Sequence, residues 1–220
     1  MERKDYIQNI DGAERRFFTA RPELRMEENE ETSVVRGIAA RVNDTNDLGW
    51  FKERIAPGAF DRALNSADLD CRCLFNHDAN MILARKNSRT DTLKLFLTEE
   101  GHLAYEFKTP NRSYAKDLAD AIASGDVDQS SFAWRIVDDS WEYDDDNPAD
   151  DLRTITSFHD LMDVSPVTYP AYQNTAVTVD ERNHQEARSA HFKKHQPKKS
   201  RSSDAFDEFD AQFMFNQNNS

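Results

Sequence analysis

The sequence predicts a β-rich α+β domain whose strands form a closed or nearly closed barrel, followed by a flexible polar tail. Three observations carry this. Short segments with apolar residues at every second position recur from about Glu14 to Val179. Only one stretch of convincing length has helical spacing. After Asp180 the aliphatic residues thin out and Lys, His, Gln, Asn and Ser take over.

Residues 1–13 lack periodicity and are expected to be loose. Phe17, Val34, Val35, Ile38, Ala40 and Val42 mark two extended stretches. Pro57-Gly58-Ala59-Phe60 reads as a turn that enters a short helix at Asp61-Arg62-Ala63-Leu64. Cys71 to His77 alternates as a strand. Thr92–Leu97 and His102–Phe107 read as a hairpin with Glu99-Glu100-Gly101 at its turn. Ser113–Ser124 places Tyr114, Leu118, Ala119 and Ile122 on one helical face, and Gly125 stands where a left-handed C-terminal cap belongs. Ser130–Val137 is again a strand, Asp138–Asp151 an acidic solvated loop, and Ile155–Val167 contains a further strand. The domain is bounded at 14–180, and 181–220 is expected to be a disordered tail, basic in its first half. The acidic, phenylalanine-bearing end Asp204–Phe215 could form an amphipathic helix on a partner.

The composition narrows the function. Among 220 residues, Lys+Arg is 28 and Asp+Glu is 41, a formal net charge of −13. Such a chain lacks the basic face that displaces counterions from nucleic acid, so no nucleic-acid partner is expected. No apolar run approaches the roughly 20 residues that span a bilayer, and no apolar leader follows Met1. Two cysteines, Cys71 and Cys73, are too few for a disulfide framework. The expectation is a soluble, acidic, intracellular protein with no membrane partner.

Three groups of residues could carry chemistry. In Asp128–Ile136, Phe132, Trp134 and Ile136 share one strand face while Ser131, Ala133 and Arg135 share the other. Ser131 is a nucleophile only if a base takes its proton; otherwise Ser130 and Ser131 are ordinary polar strand residues. His77, followed by Asp78, is a candidate base, or a surface histidine in a turn. His159, Asp160 and Asp163 lie near a later strand, and any of them could hold an imidazole in one tautomer. A metal site from Cys71, Cys73 and His77 falls short of the usual four ligands. One from His77, His102 and His159 needs three unrelated segments to converge. No metal and no cofactor is therefore expected.

Four segments in order resemble the prohead (head-maturation) proteases of tailed bacteriophages: Gly37–Asn43 with Glu53–Asp61, Leu74–Asp78, Val127–Trp134 and Met162–Ala171. The resemblance covers roughly Glu14 to Val179. It implies a fold like the herpesvirus assembly proteases, a β-barrel ringed by a few helices. It implies a serine endopeptidase that cuts scaffold or the major capsid protein within the immature capsid, in the host cell cytoplasm, and often itself. Carried over by motif, Ser131 is the nucleophile and His77 the general base. Asp163 falls on the acidic residue before Val-Ser; the herpesvirus relatives use a second histidine, so His159 stands as the alternative third member. A Gly-Arg pair common in the family is Ala84-Arg85 here, which points to Arg85 for oxyanion or peptide positioning, beside backbone N–H groups near Arg85 or after Ser131. The protein partners implied are the major capsid protein and scaffold, and the herpesvirus relatives leave a homodimer open. The competing reading is a non-catalytic scaffolding or capsid-interaction protein that retains the barrel.

Overall fold

The computed structural model describes residues 13–18, 23–26, 33–168 and 176–195. The chain forms two units, Met1–Val179 and Asp180–Ser220. In the first, eleven strands and two α-helices are described, so the mixed α+β class holds with strands dominant.

The strands pair into two sheets. The larger contains β1 (Ala13–Phe18), β10 (Gln129–Glu142), β11 (Leu152–Val167), β5 (Lys52–Ile55) and β4 (Thr45–Asp47) in that order. On it, β6 (Cys71–Leu74) pairs with β11 and with β7 (Ile82–Lys86). The smaller runs β2 (Glu23–Met26), β3 (Ser33–Ala40), β9 (Leu103–Lys108), β8 (Lys94–Leu97). Among the described residues no strand pairing closes these into one ring. The expected barrel is instead represented by two sheets sharing one core, which meet where Thr92 and Leu93 donate to the Arg85 carbonyl.

That core is where the apolar alternation points. Val35, Leu103, Tyr105 and Phe107 of the smaller sheet and Phe132, Trp134, Ile155 and Phe158 of the larger one are buried together. Phe158 stacks on Phe60 at 4.7 Å, and Phe132 on Trp134 at 4.2 Å. Burying each such ring is worth roughly 1.5–3 kcal/mol before ordering costs. Phe60 leads into α1 (Asp61–Leu64), a single turn whose Ala63 is buried. The longer helix α2 spans Ser113–Ser124 and ends on Gly125 at φ 86°, as its Gly cap requires. It buries Ala115, Leu118, Ala119 and Ile122.

Several expectations change. The stretch Asp138–Asp151 is loop only in part: β10 continues to Glu142 and β11 begins at Leu152, so the connection is residues 143–151, with a 3-10 turn at Pro148–Asp150. Most acidic residues of this arm are exposed, but its strand part is held in place. Arg153 binds Asp139 at 2.6 Å and the buried Glu53 at 3.1 Å, while Trp141 packs on Phe51 at 5.0 Å. The strand expected to reach His77 stops at Leu74. In the second unit, the polar stretch expected to lack structure from residue 181 begins within helix α3 (Ala176–His195). No Gly or Pro interrupts that span, Arg188 lies 4.9 Å over the Phe192 ring one turn on, and Pro197 follows it. Of the residues 1–13 expected to be loose, 1–12 lie outside the described residues and Ala13 opens β1; the tail 196–220, with its Asp204–Phe215 segment, also lies outside them. Among the described residues no helix is long and apolar enough to cross a membrane.

Candidate active site

β10 is flanked on both sides, by β1 and by β11. Ser131 therefore sits mid-ladder, opposite Phe17 on one side and Ser165 on the other. Its neighbours Ser130 and Phe132 face the core, where Ser130 Oγ and the Tyr105 hydroxyl meet at 2.9 Å. Alternation then sends Ser131 to the opposite face. The amides of this strand belong to ladders with its neighbours, so the strand after Ser131 is a poor source of oxyanion donors.

A bulge in β11 brings the carboxylate to that same face. Trp134 pairs with Leu161, but Ala133 pairs with Asp163, so Met162 is an extra residue in β11. Strict alternation would put Leu161 and Asp163 on one side. The inserted residue lets Leu161 stay in the core beside Trp134 while Asp163 joins Ala133 and Ser131. A second shift leaves His159 as the extra residue between Asp160 and Phe158.

The histidine arrives from the other flank. β6 runs parallel to β11, with Arg72 opposite Asp163 and Cys73 opposite Val164. Past Leu74 the chain turns through two left-handed residues, Asn76 at φ 54° and His77 at φ 55°. Asn tolerates this region better than most residues. The turn is docked on β11: the Asn76 N–H donates to the Pro166 carbonyl at 3.1 Å, its side-chain amide donates to Thr168 Oγ1 at 3.1 Å, and Thr168 N–H donates to Asn76 Oδ1 at 2.8 Å. The Asp78 N–H donates to the Phe75 carbonyl at 3.0 Å and closes the reversal.

The result is a line of three side chains. His77 Nδ1 lies 2.6 Å from Asp163 Oδ1, and His77 Nε2 lies 2.7 Å from Ser131 Oγ. A carboxylate only accepts, so Nδ1 carries the proton and donates, leaving Nε2 to accept from the serine hydroxyl. The line is sheltered: the His77 and Asp163 side chains are 6% and 2% exposed and Ser131 is 0% exposed. Hydrogen bonds in such low-dielectric surroundings are stronger than in water.

His77, Ser131 and Asp163 are thus brought together. His159 is not: its side chain is 55% exposed, with Nδ1 3.5 Å from Asp160. Arg85 is held elsewhere, its Nε and Nη2 donating to the two Asp70 oxygens at 2.7 Å each. That guanidinium, together with the charge of Arg72, pulls the Asp70 carboxyl down to about 2. Cys71 and Cys73 are buried, and burial, aided by the Asp163 charge, pushes both thiols upward, away from the nucleophilic thiolate. His77 sits in the turn beyond their strand, and among the described residues no group of three or more His, Cys, Asp or Glu side chains is arranged to hold a metal. His102 belongs to the other sheet's hairpin, where its Nδ1 accepts from the Val42 N–H at 3.3 Å.

One participant escaped the sequence reading. Ser165 is wholly buried, and its hydroxyl donates to Asp163 Oδ1 at 2.8 Å. The signal was its i+2 spacing from Asp163 on one strand, but the bulge at Met162 hides which face that strand presents.

The bacteriophage T4 capsid assembly protease gp21 is a solved structure to which the chain is similar, with 12% identity over 72% of this chain and 98% of that one, at a TM-score of 0.44. Comparison with curated proteins finds no match. The family described as caudovirus prohead serine protease matches residues 21–190. That span is well over half of the 220 residues, and the chain belongs to this family of serine proteases.

Proposed function

We propose that this chain is a serine endopeptidase of capsid maturation in which Ser131 attacks, His77 acts as general base and acid, and Asp163 supports the imidazole. The observation that carries the reading is the unbroken hydrogen-bonded line from Asp163 Oδ1 through His77 to Ser131 Oγ, with spans of 2.6 and 2.7 Å. A serine hydroxyl hardly ionises alone, and an imidazole accepting its proton makes it nucleophilic. As the Ser131 oxygen bonds to a peptide carbonyl carbon, its proton passes to His77 Nε2. The Asp163 carboxylate stabilises the imidazolium without itself taking the proton. His77 then gives the proton to the leaving amine. Water, deprotonated by the same imidazole, releases the acyl group from Ser131.

In this reading the substrates are the scaffold and/or the major capsid protein within the immature capsid, and the protease's own chain, as membership of the prohead protease family suggests. Arg85, engaged by Asp70, has a structural task in this reading and is assigned no contact with the oxyanion.

The test is co-expression with the neighbouring capsid protein, with products weighed by mass spectrometry. Ser131→Ala should fold normally and leave the capsid protein uncut, a loss of roughly 10⁴-fold or more. Normal processing by that variant would refute the assignment. A wild-type chain that never processes capsid protein and never reacts with a fluorophosphonate would favour a non-catalytic capsid-interaction role.

A further inference from the structure

The proposed reaction leaves one wholly buried polar side chain at the site without a task. Ser165 stands directly across the ladder from Ser131 and two residues beyond Asp163 on the same face. Its hydroxyl donates at 2.8 Å to Asp163 Oδ1, the oxygen that also receives the His77 Nδ1 proton at 2.6 Å.

We propose that Ser165 is a positioning residue: its hydroxyl fixes the rotation of the Asp163 carboxylate, so that His77 stays aimed at Ser131. The inference rests on the serine-protease reading and deepens it. An aspartate carboxylate turns about a soft terminal torsion, and one hydrogen bond to an imidazole leaves that rotation open. A carboxylate oxygen has two lone pairs and accepts two donors. Ser165 supplies the second donor from a strand that cannot readily shift. β11 is laddered to β10 on one side, and Asp163 and Val164 pair with Arg72 and Cys73 of β6 on the other. A side chain held by rigid elements transmits that rigidity to what it binds. Asp163 also bears on the buried thiols of Cys71 and Cys73, which burial keeps protonated. Neither adds a competing charge.

The test follows covalent labelling of the full-length chain by a fluorophosphonate, separating the maximal labelling rate from the half-saturating probe concentration. Ser165→Ala should lower the maximal rate about tenfold, the scale of a lost hydrogen bond to a charged group, and leave the half-saturating concentration unchanged. Ser165→Thr, which keeps the hydroxyl, should recover the wild-type rate. In an Asp163→Asn background, removing the Ser165 hydroxyl should have no further effect, because there is no longer a carboxylate to orient. Unfolding midpoints in urea report whether each variant is folded. Labelling of Ser165→Ala at the wild-type rate would overturn the inference, as would an equal additional loss in the Asp163→Asn background. A folded wild-type chain that takes no label at Ser131 fails earlier, at the protease reading itself.

Discussion

Gly37 lies beneath the ring of Tyr105: a Cβ built on that glycine would stand 2.5 Å from Tyr105 Cζ. The two residues pair across β3 and β9, and the missing side chain is what lets the tyrosine reach over to Ser130 on β10. Gly37→Ala should therefore destabilise the domain by about 1–3 kcal/mol through overpacking. Tyr105→Phe, which removes only the hydroxyl and leaves the buried Ser130 Oγ short of a partner, should cost about 1–3 kcal/mol. Urea unfolding followed by tryptophan fluorescence measures both; wild-type midpoints would contradict the pinning of β10 by the smaller sheet.

Asp163→Asn and His159→Ala should part widely. The amide cannot hold His77 in the tautomer with the proton on Nδ1, and the expected loss in labelling rate at Ser131 is on the order of 10⁴-fold. His159 lies at the surface, and its alanine variant should label like wild type. The reverse ranking would make the histidine the third member.

The Asn76 turn can be tested without touching a reacting group. Asn76→Ala loses two side-chain bonds to Thr168 and places alanine at a left-handed φ of 54°. The combined cost should be roughly 2–4 kcal/mol. Asn76→Gly relieves the backbone part only and should lie between alanine and wild type. Equal stability of the glycine and alanine variants, read from thermal unfolding, would argue that the backbone conformation carries no cost there.

Asp70 gives a signed pH dependence. Its carboxyl sits at about 2 in the folded chain against an ordinary 3.8, chiefly because Arg85 donates to it. The unfolded chain binds this proton first as the pH falls. The stabilisation is therefore complete above the ordinary value and disappears as the pH drops through about 2. The stability gap between wild type and Asp70→Asn should narrow steadily from pH 5 to pH 2. Urea midpoints at several pH values check this, and a gap that stays constant would remove the ion pair from the account. Arg85→Ala should at the same time keep its labelling rate close to wild type, whereas an oxyanion donor would cost about 10²–10³-fold.

These outcomes also mark how much was legible beforehand. Helix α2 was readable to its ends because a 3.6-residue stripe and a Gly cap agree. The Ser131 face was readable because β10 alternates cleanly through Phe132 and Trp134. Alternation failed where a bulge intervened: nothing in Leu161-Met-Asp163 announces the extra residue, so spacing could not choose among His159, Asp160 and Asp163, and Asp163 came first, with His159 as the alternative, only through the family resemblance. The Asp138–Asp151 arm was legible in part: 143–151 is a mostly exposed connection, but Asp138–Glu142 is strand. Nothing in the sequence announces that Arg153 of β11 pairs with Asp139 across the ladder. Strands β5 and β7 are too short for periodicity to reveal; β5 is laddered onto the long β11, and β7 onto β6, which is itself paired with β11.

His77 and Ser131 are separated by 54 positions along the chain, and His77 and Asp163 by 86. The parallel pairing of β6 with β11 spans a similar loop, and closure over such lengths is slow compared with forming a helix or hairpin. No fragment that ends before Asp163 contains all three groups. If these three groups act as proposed, proteolytic competence arrives late and all at once during translation: a ribosome-bound intermediate has nothing with which to cut its neighbours until nearly the whole domain has emerged.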